Sequence, residues 1–272
     1  MPASPHPDLG GDLTKLVIGA AMTVHRTLGP GLDEADYERA LHLELVAQGI
    51  EHECQVPLPL IYKGEKLDCG YRMDLVISEQ LLLELKAVEK LHPLHEAQLL
   101  TYLRLSRITL GLLMNFNTLV LRDGIVRRAH SVKPAVRNHT ETPPSKEFDA
   151  LSREVLGAAL DVQHELGHGL LRSAYEACLV RELTLRGIQT QVKLPANLIY
   201  RDQLILSNKE VPMIVESSLM VACHCLKELN TLQLARDRSL LRAAGVDAGL
   251  CLNFHSASLV TEIRRIRAQG KY

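Results

Sequence analysis

Residues 81–88 read LLLELKAV, an apolar run interrupted by one acidic and one basic residue. Side chains two residues apart in a strand point to the same face, so Glu84 and Lys86 share one side and Leu83 and Leu85 the other. A strand this apolar is expected at the centre of a sheet, where unpaired charges are costly. The charged pair is therefore hard to explain by packing and marks a candidate site.

The strand before this run carries a further carboxylate. Residues 71–77 form a predicted strand that contains Asp74, and a turn centred on Glu79 joins the two strands. If the strands pair symmetrically about this turn, Asp74 lies opposite Glu84, with Cβ atoms about 5 Å apart. Two carboxylates at that distance repel each other unless a cation or a proton lies between them. A surface hairpin with a polar outer face would explain the same charges.

These residue types suit the hydrolysis of a phosphodiester bond. Hard divalent cations prefer oxygen ligands, and Mg²⁺ commonly uses one or two carboxylates together with water and substrate phosphate. A bound metal lowers the pKa of its water and stabilises charge on the attacked phosphate. The ammonium group of Lys86 could hold the attacking water or neutralise the developing oxyanion.

The flanking sequence predicts three helices around the candidate strands. Asp12 is predicted to cap a first helix, which Gly29-Pro30-Gly31 ends. A second helix is predicted at 33–48, where Gly49 follows as a C-cap. A third helix is predicted to begin at Pro93 or His95.

The remaining predicted strands complete a mixed sheet. Alternating apolar residues predict one strand over residues 54–62, and the apolar run at 108–115 predicts a buried strand. Residues 119–126, with Asp123-Gly124 at their centre, predict a closing hairpin. The resulting order, α-α-β-β-β-α-β followed by a hairpin, predicts an α/β unit whose central sheet is flanked by helices.

The whole unit occurs twice in the sequence. Residue i resembles residue i+138 without a gap along the full length, as where Tyr37-Glu38 returns as Tyr175-Glu176. The segment between the two copies is rich in proline, threonine and asparagine, which is typical of a linker. We therefore expect a flexible tail at 1–11, domains at 12–130 and 148–267, a linker at 131–147 and a second tail at 268–272.

Taken together, these residues resemble a known family. Asp74, Glu84-x-Lys86 and Gln98-x-x-x-Tyr102 resemble the motifs of the PD-(D/E)XK nuclease superfamily. The sequence GLDEADY at 31–37 is similar to the signature of the bacterial GxxExxY family, which is assigned to that superfamily. The resemblance implies two tandem restriction-endonuclease-like αβββαβ units. Met73 stands where the superfamily's name has proline.

The resemblance also implies a role for each acidic and basic residue. Asp74 and Glu84 would be metal ligands, and Glu34 would be an additional acidic residue beside the metal, which would be Mg²⁺ or Mn²⁺. Lys86 would position the nucleophilic water. An exposed glutamate in the first turn of a helix, favoured by the helix dipole, is the alternative interpretation of Glu34.

The third helix and the second helix would contribute supporting residues. By resemblance, Gln98 would contact the nucleophile or a phosphate, and Tyr102 would support the helix that carries it. Tyr37 belongs to the family signature, although core packing is the favoured role of both tyrosines. A solvated polar residue on a helix surface is the alternative interpretation of Gln98.

The second copy replaces five proposed site residues, while it keeps glycines and the aromatic residues Tyr175 and Phe254, which build the fold. The replacements are Asp74 by Pro212, Glu84 by Ala222, Lys86 by His224, Glu34 by Arg172 and Gln98 by Arg236. Cationic groups at ligand positions would repel a metal ion. We therefore predict that the second copy binds no catalytic metal and serves structure, substrate binding or an intramolecular pseudo-dimer.

The cysteines give little sign of a metal or disulfide framework. Six are present, without paired Cys-x-x-Cys spacing, and reduced buried thiols are expected. Cys223-His224-Cys225 could suggest a metal site, but a closed zinc site needs four converging ligands. A strand with alternating small apolar side chains is the favoured interpretation.

Composition narrows the classes of function. A formal net charge of −1 excludes a global basic field, so affinity for nucleic acid would be local. No apolar run approaches the roughly 18 residues that span a membrane, and no signal peptide is recognisable, so a cytoplasmic protein without a membrane partner is expected. The leading hypothesis is a metal-dependent nuclease acting on DNA rather than RNA. The alternatives are a non-catalytic nucleic-acid-binding or adaptor protein and a protein-interaction module.

Overall fold

The computed structural model describes residues 11–130, 149–201 and 203–269. The chain divides into two compact units, 1–133 and 134–272. The tail expected at 1–11, except residue 11, and the linker expected at 131–147 lie outside the described residues, as do 270–272 of the second tail. Within the described ranges, no helix combines the length and apolar character needed to cross a membrane.

The described part of the first unit has three α-helices: α1 (Gly11–Leu28), α2 (Glu34–Ala47) and α3 (Pro93–Ser106). The buried face of α1 is made of small and branched apolar side chains at helical spacing, such as Val17, Ala21 and Val24. The sequence suggested that Asp12 caps α1, but the helix already includes Gly11, so Asp12 is not the cap. Asp12 lies instead in the first turn, where the helix dipole stabilises a carboxylate.

The strands of the first unit are β1 (His52–Pro57), β2 (Leu60–Tyr62), β3 (Glu65–Leu67), β4 (Arg72–Ile77), β5 (Leu81–Lys86), β6 (Leu110–Asn115) and β7 (Ile125–Ala129). The main sheet has the order β1-β4-β5-β6-β7, while β2 and β3 form a separate hairpin. The β5–β6 pair is parallel, and the other neighbours in the main sheet are antiparallel. The expected mixed sheet is confirmed, with β5 at its centre.

The single strand expected over residues 54–62 is instead two strands. β1 begins earlier, at His52, and ends at Pro57, and the short β2 starts after Leu58 and Pro59. Proline has no backbone N–H to donate to a neighbouring strand, so two prolines this close together interrupt the ladder. The backbone of Gln55 has a positive φ of 53°, but the register of β1 with β4 is the same on both sides of this residue.

The closing hairpin expected at 119–126 is also corrected. Leu121–Gly124 form a 3-10 helix, and β7 follows it and pairs with β6. A Cβ atom at Gly124 would lie 2.5 Å from the carbonyl oxygen of Asn115. Asp123-Gly124 therefore brings the chain close to the end of β6 and is not the centre of a two-strand turn.

The sheet of the first unit is covered on both faces. One face packs Leu83, Leu85 and their neighbours against the apolar sides of α1 and α2. The other face carries α3, whose Leu99 and Leu103 lie so close to Gly111 that a Cβ there would be 2.8 Å from the Leu99 side chain. The charged residues of β5 lie on this second face.

The second unit repeats the architecture of the first. Its helices are α4 (Ala150–Leu166), α5 (Arg172–Leu185) and α6 (Thr231–Ala243). Its strands are β8 (Thr190–Gln191), β9 (Leu194–Tyr200), β10 (Gln203–Val211), β11 (Met213–Val215), β12 (Leu219–His224), β13 (Ala248–Asn253) and β14 (Ile263–Arg267). The main sheet has the order β14-β13-β12-β11-β8, and β12–β13 is again the parallel pair. Both units therefore have the expected α/β architecture.

Candidate active site

The β4–β5 hairpin has the register that the sequence predicts. The paired residues are Leu75 with Leu83, Val76 with Leu82 and Ile77 with Leu81. Just beyond the pair of Leu75 with Leu83, the Oδ2 atom of Asp74 accepts a hydrogen bond of 2.8 Å from the backbone N–H of Leu85. A backbone donor thus fixes the Asp74 carboxylate at the end of the hairpin ladder, beside Glu84.

The two faces of β5 differ in character. Leu83 and Leu85 belong to the apolar core on the side of α1 and α2. Glu84 and Lys86 lie on the side of α3 and are only 0% and 8% exposed, and Asp74 is 8% exposed. Because all three charged groups are buried, a solvated outer face does not account for them.

Only one oxygen of the Glu84 carboxylate is satisfied by protein donors. Its Oε1 atom accepts a hydrogen bond of 2.8 Å from Lys86 Nζ and another from Gln98 Nε2. Its Oε2 atom is buried and has no hydrogen-bond partner within the described part of the chain. Burying an anionic oxygen without a donor is costly, and such an atom is suited to bind a hard cation. The residues present therefore fit a divalent metal ion.

Lys86 connects β5 to the start of α2. Its Nζ atom donates to Glu84 Oε1, to the carbonyl oxygen of Leu85 at 2.7 Å, and to Glu34 Oε1 at 3.4 Å. Glu34 is the first residue of α2, and its side chain is 41% exposed. The ammonium group is therefore held in place by acceptors, while Glu34 lies at the solvent side of the cluster.

Burial and mutual repulsion dominate the electrostatics of the cluster. Burial and the nearby Asp74 carboxylate raise the pKa of Glu84 to about 8, against the opposing effect of Lys86. Burial also raises the pKa of Asp74, although the Leu85 N–H and Lys86 partly offset it. Burial alone would lower the pKa of Lys86, but the carboxylates of Glu84, Glu34 and Asp74 together outweigh it and the pKa rises. The cluster thus favours an additional positive charge, either a proton or a cation.

The three carboxylates do not yet form a compact ligand set. The ligand oxygens of Glu34, Asp74 and Glu84 do not all lie within 4.8 Å of one another. Lys86 lies within salt-bridge distance of both Glu34 and Glu84, and so separates them. Direct binding of one ion by all three groups would require a movement of side chains, for which the partly exposed Glu34 is best placed.

The third helix presents its polar residues to the cluster. Gln98 donates from Nε2 to Glu84 Oε1 and also to the hydroxyl oxygen of Tyr102, at 3.2 Å. Tyr102 is buried beside Tyr71, with ring centroids 5.7 Å apart, and burial raises the pKa of its hydroxyl group. Gln98 is therefore part of the charged cluster, and Tyr102 supports it as a neutral group in the core.

Tyr37 supports the start of α2 and does not contact the charged cluster directly. Its hydroxyl group donates to the carbonyl oxygen of Gly29 at 2.7 Å and accepts from the N–H of Leu32 at 3.2 Å. Its ring stacks on Phe116, with centroids 4.6 Å apart. These contacts fix the loop that leads into Glu34. The Tyr37 ring is buried in the core, as the role favoured from the sequence requires.

Two polar residues near the cluster were not predicted as site residues. Gln55 donates from Nε2 to Glu38 Oε2 at 2.6 Å, and its side chain also lies near Asp74, whose pKa it slightly lowers. Asn115 binds both the N–H and the carbonyl oxygen of Val88, at 3.0 and 2.7 Å, and so ties the end of β6 to the segment after β5. The presence of an asparagine at the same position of the second copy, Asn253, could have indicated the role of Asn115. No sequence pattern indicated Gln55.

The second unit has no carboxylate at the positions of Asp74 and Glu84, where Pro212 and Ala222 stand. Arg172, at the position of Glu34, forms an exposed ion pair of 3.4 Å with Glu176. Arg236, at the position of Gln98, is exposed. The candidate site of the first unit is therefore not reproduced in the second.

A buried hydrogen-bonded group of different composition occupies the equivalent interior. His224, at the position of Lys86, lies with its Nε2 atom 2.9 Å from Asp237 Oδ2, and the thiol of Cys251 donates to the same oxygen at 3.4 Å. Gln233 Nε2 donates to Asp237 Oδ1 at 3.2 Å. Asp237 was not predicted, because it replaces an apolar helix residue whose neighbours are distant in sequence.

Comparison with known proteins supports this architecture. A family model described as the PD-(D/E)XK nuclease superfamily matches residues 11–128 and, a second time, residues 149–266. No curated protein and no solved structure gives a match. The two matched segments cover most of the chain, and each contains one complete α/β unit. This chain therefore belongs to the PD-(D/E)XK nuclease superfamily, with the domain of that superfamily present twice.

Proposed function

We propose that the first unit is a Mg²⁺- or Mn²⁺-dependent nuclease that hydrolyses phosphodiester bonds of nucleic acid, with DNA as the preferred substrate. The observation that carries the proposal is the buried cluster of Asp74, Glu84 and Lys86, in which one Glu84 oxygen has no donor among the described residues. Superfamily membership supports the same chemistry.

In this proposal, Asp74 and Glu84 hold the metal ion. When bound, the ion supplies Lewis-acid stabilisation of the phosphate and lowers the pKa of a coordinated water. The N–H of Leu85 keeps the Asp74 carboxylate oriented toward the cluster. Glu34 adds negative charge from the solvent side and completes the ligand set, directly or through water.

Lys86 and Gln98 act on the reacting groups. The Lys86 ammonium group is oriented by its bonds to Glu84 and Leu85, so it can hold the nucleophilic water or stabilise charge on the phosphate. Gln98 already donates to Glu84, and its amide can also contact the nucleophile or a phosphate oxygen. Tyr102 keeps Gln98 in place, and Tyr37 keeps the start of α2 in place.

We further propose that the second unit is a degenerate nuclease domain that serves structure or substrate binding. The loss of both carboxylates and the exposed cations Arg172 and Arg236 support this role. The same proposal includes membership of the bacterial GxxExxY family and a cytoplasmic location. It places the two domains at 12–130 and 148–267. Association of the two copies as an intramolecular pseudo-dimer stays a prediction.

The test is cleavage of labelled linear and circular DNA and of RNA by the full chain with Mg²⁺, Mn²⁺ or a chelator. We expect metal-dependent cleavage of DNA that falls about 100-fold or more in Asp74→Asn and in Lys86→Met. Glu53→Gln, an exposed carboxylate in β1, is the matched control and should cleave as the wild type does.

Each alternative has its own outcome in this assay. Cleavage that survives both Asp74→Asn and Lys86→Met would refute the assignment of the site. Salt-dependent retention of nucleic acid without turnover in either metal would favour the non-catalytic binding protein. Cleavage of RNA alone would reject DNA as the substrate.

A further inference from the structure

A second group of metal-binding side chains lies in the first unit, where α2 meets β1. His42 belongs to α2, whereas His52 and Cys54 belong to β1. Their ligand atoms all lie within 4.8 Å of one another. His42 Nδ1 is 2.8 Å from His52 Nε2 and 3.7 Å from Cys54 Sγ. None of the three belongs to the candidate active site.

The orientation of His52 is fixed by the backbone. Its Nδ1 atom lies 2.8 Å from the carbonyl oxygen of Ile50, which can only accept a hydrogen bond. Nδ1 therefore carries the proton, and in the neutral ring Nε2 carries the lone pair, which faces His42. A ring nitrogen that donates to a backbone carbonyl while the other nitrogen offers its lone pair is the usual arrangement of a metal-binding histidine.

The distances between the ligand atoms suit a tetrahedral zinc ion. Bond lengths of about 2.0–2.1 Å to nitrogen and about 2.3 Å to sulfur place two ligands about 3.3 Å apart for N···N and about 3.6 Å for N···S. The observed separations are 2.8 and 3.7 Å. A small rotation of the exposed His42 ring would open the shorter separation, and Zn²⁺ would then replace the proton that the two rings share.

The group is open on one side. A cavity of about 200 Å³ is lined by Glu38, Arg39, His42 and Cys54. Glu38 lies one helical turn before His42, so its carboxylate can reach the same space, as can water. An accessible ligand set with one free coordination position is the pattern of a three-ligand zinc site.

The second unit provides an internal comparison. The residues at the corresponding positions are Val180, Thr190 and Val192, which cannot form an equivalent ligand set. The other cluster of histidine, aspartate and cysteine, around Asp237, is fully buried, and its thiol and imidazole are both bonded to the one carboxylate. Of these two clusters in the described part of the chain, the α2–β1 group is the one that combines access, lone-pair orientation and an open position.

We propose that His42, His52 and Cys54 bind one Zn²⁺ ion, with water or Glu38 as the fourth ligand. The ion would join α2 to β1. In β1, Cys54 pairs with Leu75 of β4, the residue that follows Asp74. This proposal does not depend on the nuclease activity, because the ligands are soft nitrogen and sulfur donors that bind Zn²⁺ rather than Mg²⁺.

The experiment is a titration of the full, reduced and metal-free chain with Co²⁺, followed by displacement with Zn²⁺. We expect a thiolate-to-cobalt charge-transfer band and the visible bands of tetrahedral cobalt, which saturate at one equivalent and disappear when Zn²⁺ is added. Cys54→Ser should abolish the charge-transfer band, and His42→Ala should weaken binding at least about tenfold. A cobalt ion bound only by carboxylates gives no thiolate band, so the candidate active site does not interfere.

Two cysteine variants serve as matched controls. Cys69→Ser removes the other partly buried thiol of the first unit, and Cys251→Ser removes the thiol of the buried cluster in the second. Both should keep the band of the wild type. The proposal is overturned if the wild type shows no thiolate band, or if the band persists in Cys54→Ser. A band that is lost in Cys251→Ser and kept in Cys54→Ser would place the metal in the second unit and overturn it equally.

Discussion

Replacing Glu84 by glutamine should remove the titratable carboxyl group through which metal binding depends on pH. In the unfolded chain, Glu84 is expected to titrate near its ordinary pKa of 4.5, whereas burial and Asp74 raise its pKa to about 8 in the folded protein. Between these values the folded state binds more protons than the unfolded state. The contribution of Glu84 to the free energy of unfolding of the metal-free protein is therefore fully present below pH 4.5 and falls as the pH rises toward 8.

The size of the effect follows from the same pKa shift. Each pKa unit corresponds to about 1.4 kcal/mol, so the free energy of unfolding should fall by up to about 3 kcal/mol between about pH 5 and pH 7.5. A metal ion bound to the Glu84 carboxylate must expel the proton. At about pH 7, a group with this pKa releases close to one proton per ion, and at about pH 9 only about a tenth of a proton.

Calorimetric titration with Mg²⁺ in buffers of different ionisation enthalpy counts the released protons directly. Glu84→Gln should release none, and its metal-free unfolding in denaturant should lose most of the pH dependence. Glu53→Gln, which changes an exposed carboxylate, should behave as the wild type. Proton release near zero at pH about 7 in the wild type, or an unchanged pH dependence in Glu84→Gln, would refute the reasoning.

Three further substitutions test the scaffold around the cluster by denaturation midpoints. Tyr37→Phe removes the hydroxyl group that bonds Gly29 and Leu32, and should cost about 1–2 kcal/mol; an unchanged midpoint would contradict this role. Asn115→Ala leaves both backbone groups of Val88 without their side-chain partner, and should cost about 2–3 kcal/mol. Gly124→Ala places a Cβ 2.5 Å from a carbonyl oxygen, and a loss below about 1 kcal/mol would show that the turn can relax.

The sequence was most informative where the pattern is local. The alternation in residues 81–88 and the short turn at Glu79 were enough to predict the hairpin register and the shared face of Glu84 and Lys86, because strand geometry has a period of two residues. The repeat offset likewise predicted the second sheet, in which β12 lies 138 residues beyond β5.

Features that depend on contacts between distant elements were not predictable in this way. The bond from Lys86 to Glu34 joins β5 to the start of α2 and depends on how the helix packs on the sheet. The approach of Gln55 to Asp74 depends on the pairing of β1 with β4, which places the two residues opposite each other. The 3-10 helix at Leu121–Gly124 follows from a close approach to β6, which no residue pattern in the segment expresses.

The tyrosine at the start of α2 has a counterpart in the second unit that makes the same contacts. Tyr175 donates to Gly167 at 2.8 Å, accepts from Leu170 at 3.1 Å and stacks on Phe254, with centroids 4.3 Å apart. These contacts join the loop, the helix and the sheet without any of the acidic residues of the candidate site. The shape of the domain can therefore be kept when the acidic residues are replaced, and the two halves are free to diverge at the positions of Asp74, Glu84 and Lys86.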